Sequence, residues 1–125
     1  MDKEKIDLEN FIFNLILDHE LTVGRINTDM YETLKKQHEQ ADITYEYTKV
    51  GFFFNYSVND DLAMKDKSRH ILGGVNFKVI DATDTLMEVL MFISNGKIGC
   101  TEGHGYGDYL EEDCFSQDKL ERVFL

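Results

Sequence analysis

Glu102 and His104 are the two residues in this chain whose types and spacing best suit acid–base chemistry. A carboxylate beside an imidazole can act as general acid and general base in a hydrolase or nuclease. Cys100 and Cys114 lie on either side, but no C-x-x-C or H-x-x-x-H motif accompanies them, which argues against a zinc site. The residues therefore permit a small enzyme or ligand-binding domain that uses Glu102 and His104, although the surrounding negative charge opposes a phosphate substrate.

The preferred hypothesis assigns the chain no catalytic residue, no metal and no cofactor, and gives this segment to partner binding. Residues 101–125 hold seven acidic side chains against two basic ones, within a chain of net charge −11 at pH 7. Complementary charge speeds encounter with a basic protein, and tyrosines among carboxylates can anchor it. A solvated loop is the plain alternative. The residues predicted to contact a partner are Glu102, Tyr106, Asp108, Tyr109, Glu111, Glu112 and Asp113.

Length and composition exclude several classes of protein. A chain of 125 residues with 42% hydrophobic content is long enough for one domain, 1–125, with a real core. The acidic balance opposes nucleic-acid binding, because phosphate backbones repel such a surface. The polar start of the sequence lacks a signal-peptide pattern, and no apolar run reaches the length of a membrane span. We therefore expect a cytoplasmic protein with free thiols that contacts no membrane.

Two helices are predicted in the first third of the chain. Residues Asp2–Glu20 carry apolar side chains near helical spacing, and the middle is apolar enough to be covered by a sheet. A second helix, Asp29–Gln40, follows a capping Asn27 or Thr28 and has a mostly charged face. The helices thus precede the strands, which is typical of an α+β domain.

From residue 42 the apolar period changes to two, which indicates strands. Apolar residues on both faces of the segment that begins at Leu86 predict a strand covered on both sides and central in the sheet. Asn95-Gly96 after it predicts a type I′ hairpin, since that turn needs positive φ at both central residues. Gly103–Asp113 is interpreted as a glycine-bearing acidic loop, and the end of the chain as a short turn with an apolar hook. The predicted strands are Ile43–Val50, Phe52–Val58, Ile71–Ile80, Leu86–Ser94 and Lys97–Glu102.

Several short motifs in the last two-fifths of the chain fall in a recognisable order. They are Gly74-Val75-x-Phe77, a stretch around Glu88–Ile93, Asn95-Gly96-Lys97-Ile98 and Glu102-Gly103. In these motifs the chain resembles small immunity proteins of bacterial toxin–immunity systems, including those of contact-dependent inhibition. The resemblance implies a non-enzymatic α+β domain that binds and blocks a cognate toxin, often a basic nuclease.

The sequence therefore predicts an α+β domain with N-terminal helices packed on an antiparallel sheet of about five strands. Its preferred function is that of a cytoplasmic immunity or inhibitor protein whose acidic surface covers a basic toxin domain. Strand addition at a sheet edge is an equally allowed mode of binding. The alternatives are the small enzyme or ligand-binding domain with Glu102 and His104, and a structural adaptor with no special site.

Overall fold

A computed structural model describes residues 1–82, 85–107 and 109–124. Helix α1 spans Lys3–Thr22 and begins at Asp2, whose side chain accepts a hydrogen bond from the Lys5 backbone N–H at 3.0 Å. Helix α2 spans Thr28–Gln40 and is capped by Asn27 in the same way. Both predicted helices are confirmed, and each N-cap accepts a backbone N–H that the first turn leaves without a helical partner.

Within these described residues, one six-stranded antiparallel sheet follows the helices, in the order β1-β2-β5-β4-β3-β6. The α+β class is confirmed, with one strand more than predicted. At the predicted hairpin, Asn95 and Gly96 have φ of 54° and 77°, so both central residues are in the left-handed region. The strands are β1 Asp42–Tyr47, β2 Gly51–Ser57, β3 His70–Val79, β4 Leu86–Ser94, β5 Lys97–Tyr106 and β6 Leu120–Val123.

Both helices lie on one face of this sheet, which we call the helix face. Helix α1 contacts β3 and β4, and α2 contacts β5. The core forms there because each strand turns alternate side chains towards the helices, as the period of two requires. Its largest fully buried side chains are Phe13, Phe52, Phe54, Phe77, Phe115, Leu8, Ile12, Ile16, Leu17, Leu34, Met87 and Met91.

Strand β4 is central, as predicted, but it is not covered on both sides. Met87, Val89 and Met91 on the helix face are fully buried, whereas Leu90 and Phe92 on the opposite face are only partly buried. Among the described elements, α1 and α2 both pack on the helix face. We call the other surface the open face.

The prediction of a loop from Gly103 onwards is wrong for its first four residues. Strand β5 continues to Tyr106, with Gly103 and Gly105 buried on the helix face. A Cβ at Gly103 would lie 2.5 Å from the Phe52 ring, and one at Gly105 would lie 2.7 Å from a Leu110 methyl. Glycine is present there because neighbouring side chains occupy the space that a Cβ needs, rather than to make the segment mobile.

The prediction for the end of the chain is confirmed only for its short turn, the 3₁₀ helix Gln117–Lys119 after Ser116. Instead of an apolar hook, residues 120–123 form β6, which pairs with β3 from Asn76 to Val79. Phe124 is 83% exposed rather than tucked into the core, and Leu125, the last residue of the predicted hook, lies outside the described residues. A four-residue edge strand of mixed polarity carries too little period-two pattern to be recognised in sequence.

Beyond the reach of β6, an ion pair between a buried carboxylate and a largely exposed guanidinium supplies partners to the edge of β3. Glu20, 1% exposed, accepts the Gly73 backbone N–H at 2.7 Å, and its other oxygen lies 2.6 Å from Arg25 Nε. The Arg25 guanidinium in turn donates to the Gly73 carbonyl at 3.3 Å. The pair thereby satisfies backbone groups at the bulge between Gly73 and Val75, and it protects an edge that would otherwise invite another strand.

Candidate partner-binding surface

Two of the predicted contact residues, Glu102 and Tyr106, lie on the open face of β5. Across the strands, Glu102 pairs with Phe53 on one side and Leu90 on the other. Tyr106, 59% exposed, donates a hydrogen bond to Glu88 at 3.3 Å. Glu102 and Tyr106 share a face because side chains alternate along a strand and these two residues are an even number of positions apart.

The other described members, Tyr109, Glu111, Glu112 and Asp113, lie in the segment after β5. This segment bends around the β1–β2 turn, where the Leu110 backbone N–H donates to the Lys49 carbonyl at 2.7 Å. Leu110 and Phe115 are buried on the helix face, and the Tyr47 hydroxyl donates to the Leu110 carbonyl. Burial and the nearby Glu111 and Glu112 raise the pKa of Tyr47 above its ordinary value. We call residues 109–113 the acidic segment; it is held by the core and presents its acids to solvent.

The structure therefore divides the predicted set into two groups rather than bringing it together. Glu102 and Tyr106 face away from the helices, whereas the acidic segment lies on the helix side, beside Tyr45 and Tyr47. Asp108 lies outside the described residues. A continuous surface through both groups would have to wrap around one end of the sheet.

Sequence reasoning did not identify the residues that surround Glu102 on the open face. Cross-strand pairing forms one row of Glu46, Phe53, Glu102 and Leu90, and a second row of Asn55, Cys100, Phe92 and Ile71. The two-faced apolar pattern of β4 was the available signal, but it was interpreted as burial on both sides. Only the sheet order shows that these side chains share an uncovered surface.

Glu88 and Glu102 make this surface electrically negative. In the described part of the chain, neither carboxylate forms an ion pair. Glu88 is the main cause of a raised pKa at Tyr106, and burial together with Glu102 raises the pKa of the Cys100 thiol. Both shifts oppose a second negative charge on this face.

The reactivity of Cys100 reports directly on the negative charge of this face. Because its pKa is raised, little thiolate is present at neutral pH, and we expect alkylation by N-ethylmaleimide to accelerate as pH rises towards 10. Glu102→Gln should increase the neutral-pH rate about twofold to threefold, since it removes one nearby negative charge. Cys114 is buried and serves as the internal control, with mass spectrometry separating the two sites. An unchanged Cys100 rate in Glu102→Gln would contradict this electrostatic assignment.

Glu102 and His104, the acid–base pair of the alternative enzyme hypothesis, both lie on the open face. His104 is exposed and its ring stands edge-on to Tyr106 at 5.4 Å, while Glu102 is two residues away on the same strand. Five clefts in the described part of the chain are lined by other residues. Within the described ranges, no group of three or more His, Cys, Asp and Glu side chains is arranged to hold a metal ion.

A second carboxylate–imidazole pair was missed because its members are far apart in sequence. Glu9, 2% exposed, lies 2.7 and 2.9 Å from His38 Nε2 through its two oxygens. The Tyr56 hydroxyl donates to Glu9 at 2.7 Å and lies 3.0 Å from the Thr101 hydroxyl. Burial and Glu9 raise the pKa of Tyr56, which keeps it a donor. The network ties α1, α2, β2 and β5 together, and we assign it a structural role.

None of the described helices is long and apolar enough to cross a membrane. Comparison with known proteins found no matching family model, no matching curated protein and no matching solved structure.

Proposed function

We propose that this protein is an inhibitor of the immunity type, a non-enzymatic cytoplasmic domain that binds a cognate basic toxin domain and covers its positively charged site. The observation that carries the proposal is a set of surface carboxylates that form no ion pair with the described residues. Within the described residues, no ion pair involves Glu102, Glu111, Glu112 or Asp113. A partner that brings Lys and Arg would neutralise these charges on binding.

The anchoring of the acidic segment supports the same function. Leu110 and Phe115 hold the segment at both ends, and the Lys49 ammonium lies 6.0 Å from the centre of the Tyr109 ring. An acidic surface that is ordered before binding loses less conformational entropy when a partner docks. Its charge also attracts a basic domain over roughly a Debye length, about 8–10 Å at ordinary salt. Fast, charge-driven capture is what neutralisation of a toxin requires.

The function is tested by capture followed by protection. The tagged chain is used to recover proteins from the source organism at about 0.05 M salt, and the eluate at about 0.5 M salt is identified by mass spectrometry. Each basic protein recovered is then expressed with and without the chain, and growth is measured. We expect one of them to arrest growth alone and to be harmless when the chain is present. Recovery of no growth-arresting protein, or arrest unaffected by the chain, would contradict the proposal.

Charge inversion in the acidic segment tests whether the position of these charges, rather than the net charge of the protein, speeds association with the partner. Glu111→Lys with Glu112→Lys should slow association with the recovered domain about tenfold at low salt, and the difference should shrink at high salt. The matched control is Glu32→Lys with Glu39→Lys, which makes the same change of charge at exposed positions on α2. Equal slowing by both variants in stopped-flow measurements would mean that net charge alone matters and that the segment has no special role.

A further inference from the structure

The open face is the largest feature of the fold that the acidic segment does not explain. Its centre consists of partly buried Phe53, Leu90 and Phe92, and Ile71 beside them is 57% exposed. Leu86 and Tyr106 continue the apolar surface towards one end of the strands, with 36% and 59% of their area exposed. Apolar side chains that are contiguous and uncovered mark a protein contact rather than a solvated face.

The charges on the open face restrict what can cover it. Glu46, Glu88 and Glu102 lie among the apolar rows, and His104 and Lys78 stand on the same surface. In the portion of the chain that the structure describes, none of the three carboxylates belongs to an ion pair. A partner that removes them from water must therefore supply cationic groups itself.

A second copy of the chain does not meet this requirement. Two open faces pressed together would bring both sets of Glu46, Glu88 and Glu102 into one desolvated interface, inside a pair of chains that each carry −11 at pH 7. Like charges brought together in an interface suppress the wrong partner. Nucleic acid is excluded by the same sign of charge.

We propose that the open face is the main docking surface of this protein, and that its occupant is a basic protein presenting apolar side chains bordered by Lys and Arg. Phe53, Leu90 and Phe92 form the apolar centre of the interface, and Glu46, Glu88 and Glu102 pair with the cationic border. The acidic segment then steers the encounter from the helix side, while the open face controls how slowly the complex dissociates. This inference rests on the proposed function only where it identifies the natural basic partner as a toxin domain.

Cys100 makes the docking surface observable, because it lies between Asn55 and Phe92 in the second cross-strand row. The first probe is a synthetic amphipathic peptide with leucine on one helical face and lysine on the other. At saturation it should slow N-ethylmaleimide alkylation of Cys100 at least about fivefold by blocking access. A version with glutamate in place of lysine, and a scrambled version without an apolar face, should protect Cys100 much less.

The second probe is the basic domain recovered by capture. Glu88→Lys with Glu102→Lys should increase its dissociation rate about 100-fold, whereas Glu111→Lys with Glu112→Lys should mainly slow association. Ile71→Thr removes an exposed apolar contact and should also speed dissociation. Its matched control is Val23→Thr, because Val23 is 52% exposed at the end of α1. Thermal melting of each variant separates loss of binding from loss of folding.

Each other occupant gives a distinct result. Cys100 protection that grows with protein concentration alone, together with a dimer in sedimentation, would overturn the proposal in favour of a second copy. Hydrogen-exchange protection confined to β1 with Cys100 still reactive would overturn it in favour of strand addition. If capture yields no toxin, the proposed function fails while the peptide experiment still decides the docking surface. If the captured domain leaves Cys100 reactive, the docking surface fails while the function stands.

Discussion

Gly51→Ala is expected to destabilise the protein by more than about 4 kcal/mol, enough to abolish a cooperative fold in a domain of this size. A Cβ at Gly51 would overlap the Gly103 carbonyl oxygen and lie 2.7 Å from its carbonyl carbon. Both are backbone atoms of β5, so no rotamer change relieves the overlap and β2 must separate from β5. The expected measurement is a lost or strongly lowered thermal transition by circular dichroism.

The matched control for this prediction is Gly99→Ala on the neighbouring strand. A Cβ at Gly99 would meet only the Phe92 carbonyl oxygen at 3.5 Å, which is ordinary van der Waals contact. We expect this variant to be as stable as the original chain within about 1 kcal/mol, since it also reduces the entropy of the unfolded chain. If Gly51→Ala melts like Gly99→Ala, the close approach of β2 and β5 is not what the fold requires.

Glu9→Ala is expected to cost about 3–5 kcal/mol, because it leaves buried polar partners without their acceptor. His38 Nε2 and the Tyr56 hydroxyl both lose a carboxylate oxygen within 2.9 Å. His38 is also stacked on Phe13, with ring centres 3.8 Å apart, so it cannot turn to solvent without disturbing the core. The loss of unfolding free energy is measured by urea titration, followed by circular dichroism or by tyrosine fluorescence, since the chain contains no tryptophan.

Two control variants test whether the lost stability of Glu9→Ala comes from its buried hydrogen bonds. Tyr56→Phe removes one donor while keeping the ring, and should cost only about 1–2 kcal/mol. Glu39→Ala, an exposed glutamate of α2, should change stability by less than about 0.5 kcal/mol. A Glu9→Ala variant as stable as Glu39→Ala would show that the buried network contributes nothing, and the attachment of α2 to the sheet would need another explanation.

The sheet order connects these stability predictions to the proposed docking surface. Strands β5 and β4 occupy the two central positions, so Glu102, Leu90 and Phe92 stand in the middle of the open face. Gly51 and Gly103 let β2 approach β5 closely, which brings Phe53 beside Glu102. A change at either glycine that leaves the protein folded should therefore disturb binding through the shape of the face, even where the altered residue touches no partner.

Local sequence was sufficient for features that depend on neighbouring residues. Helix starts at Asp2 and Asn27 follow from short polar side chains that accept backbone N–H groups. The turn at Asn95-Gly96 follows from the positive φ that these residue types tolerate. The strand period and the excess of acidic residues are likewise properties of the chain itself. These features determined the fold class and the sign of the surface charge.

Tertiary structure alone decided which of those residues share a surface. Glu102 and Glu112 are ten residues apart and were predicted to contact the same partner, yet the continuation of β5 to Tyr106 places them on opposite sides of the sheet. Conversely, Glu9 and Tyr56 are 47 residues apart and share a hydrogen bond. The physical reason is that the period of two decides only which residues of one strand share a face. Strand order and helix placement decide which side chains of different strands meet and which face is exposed to water.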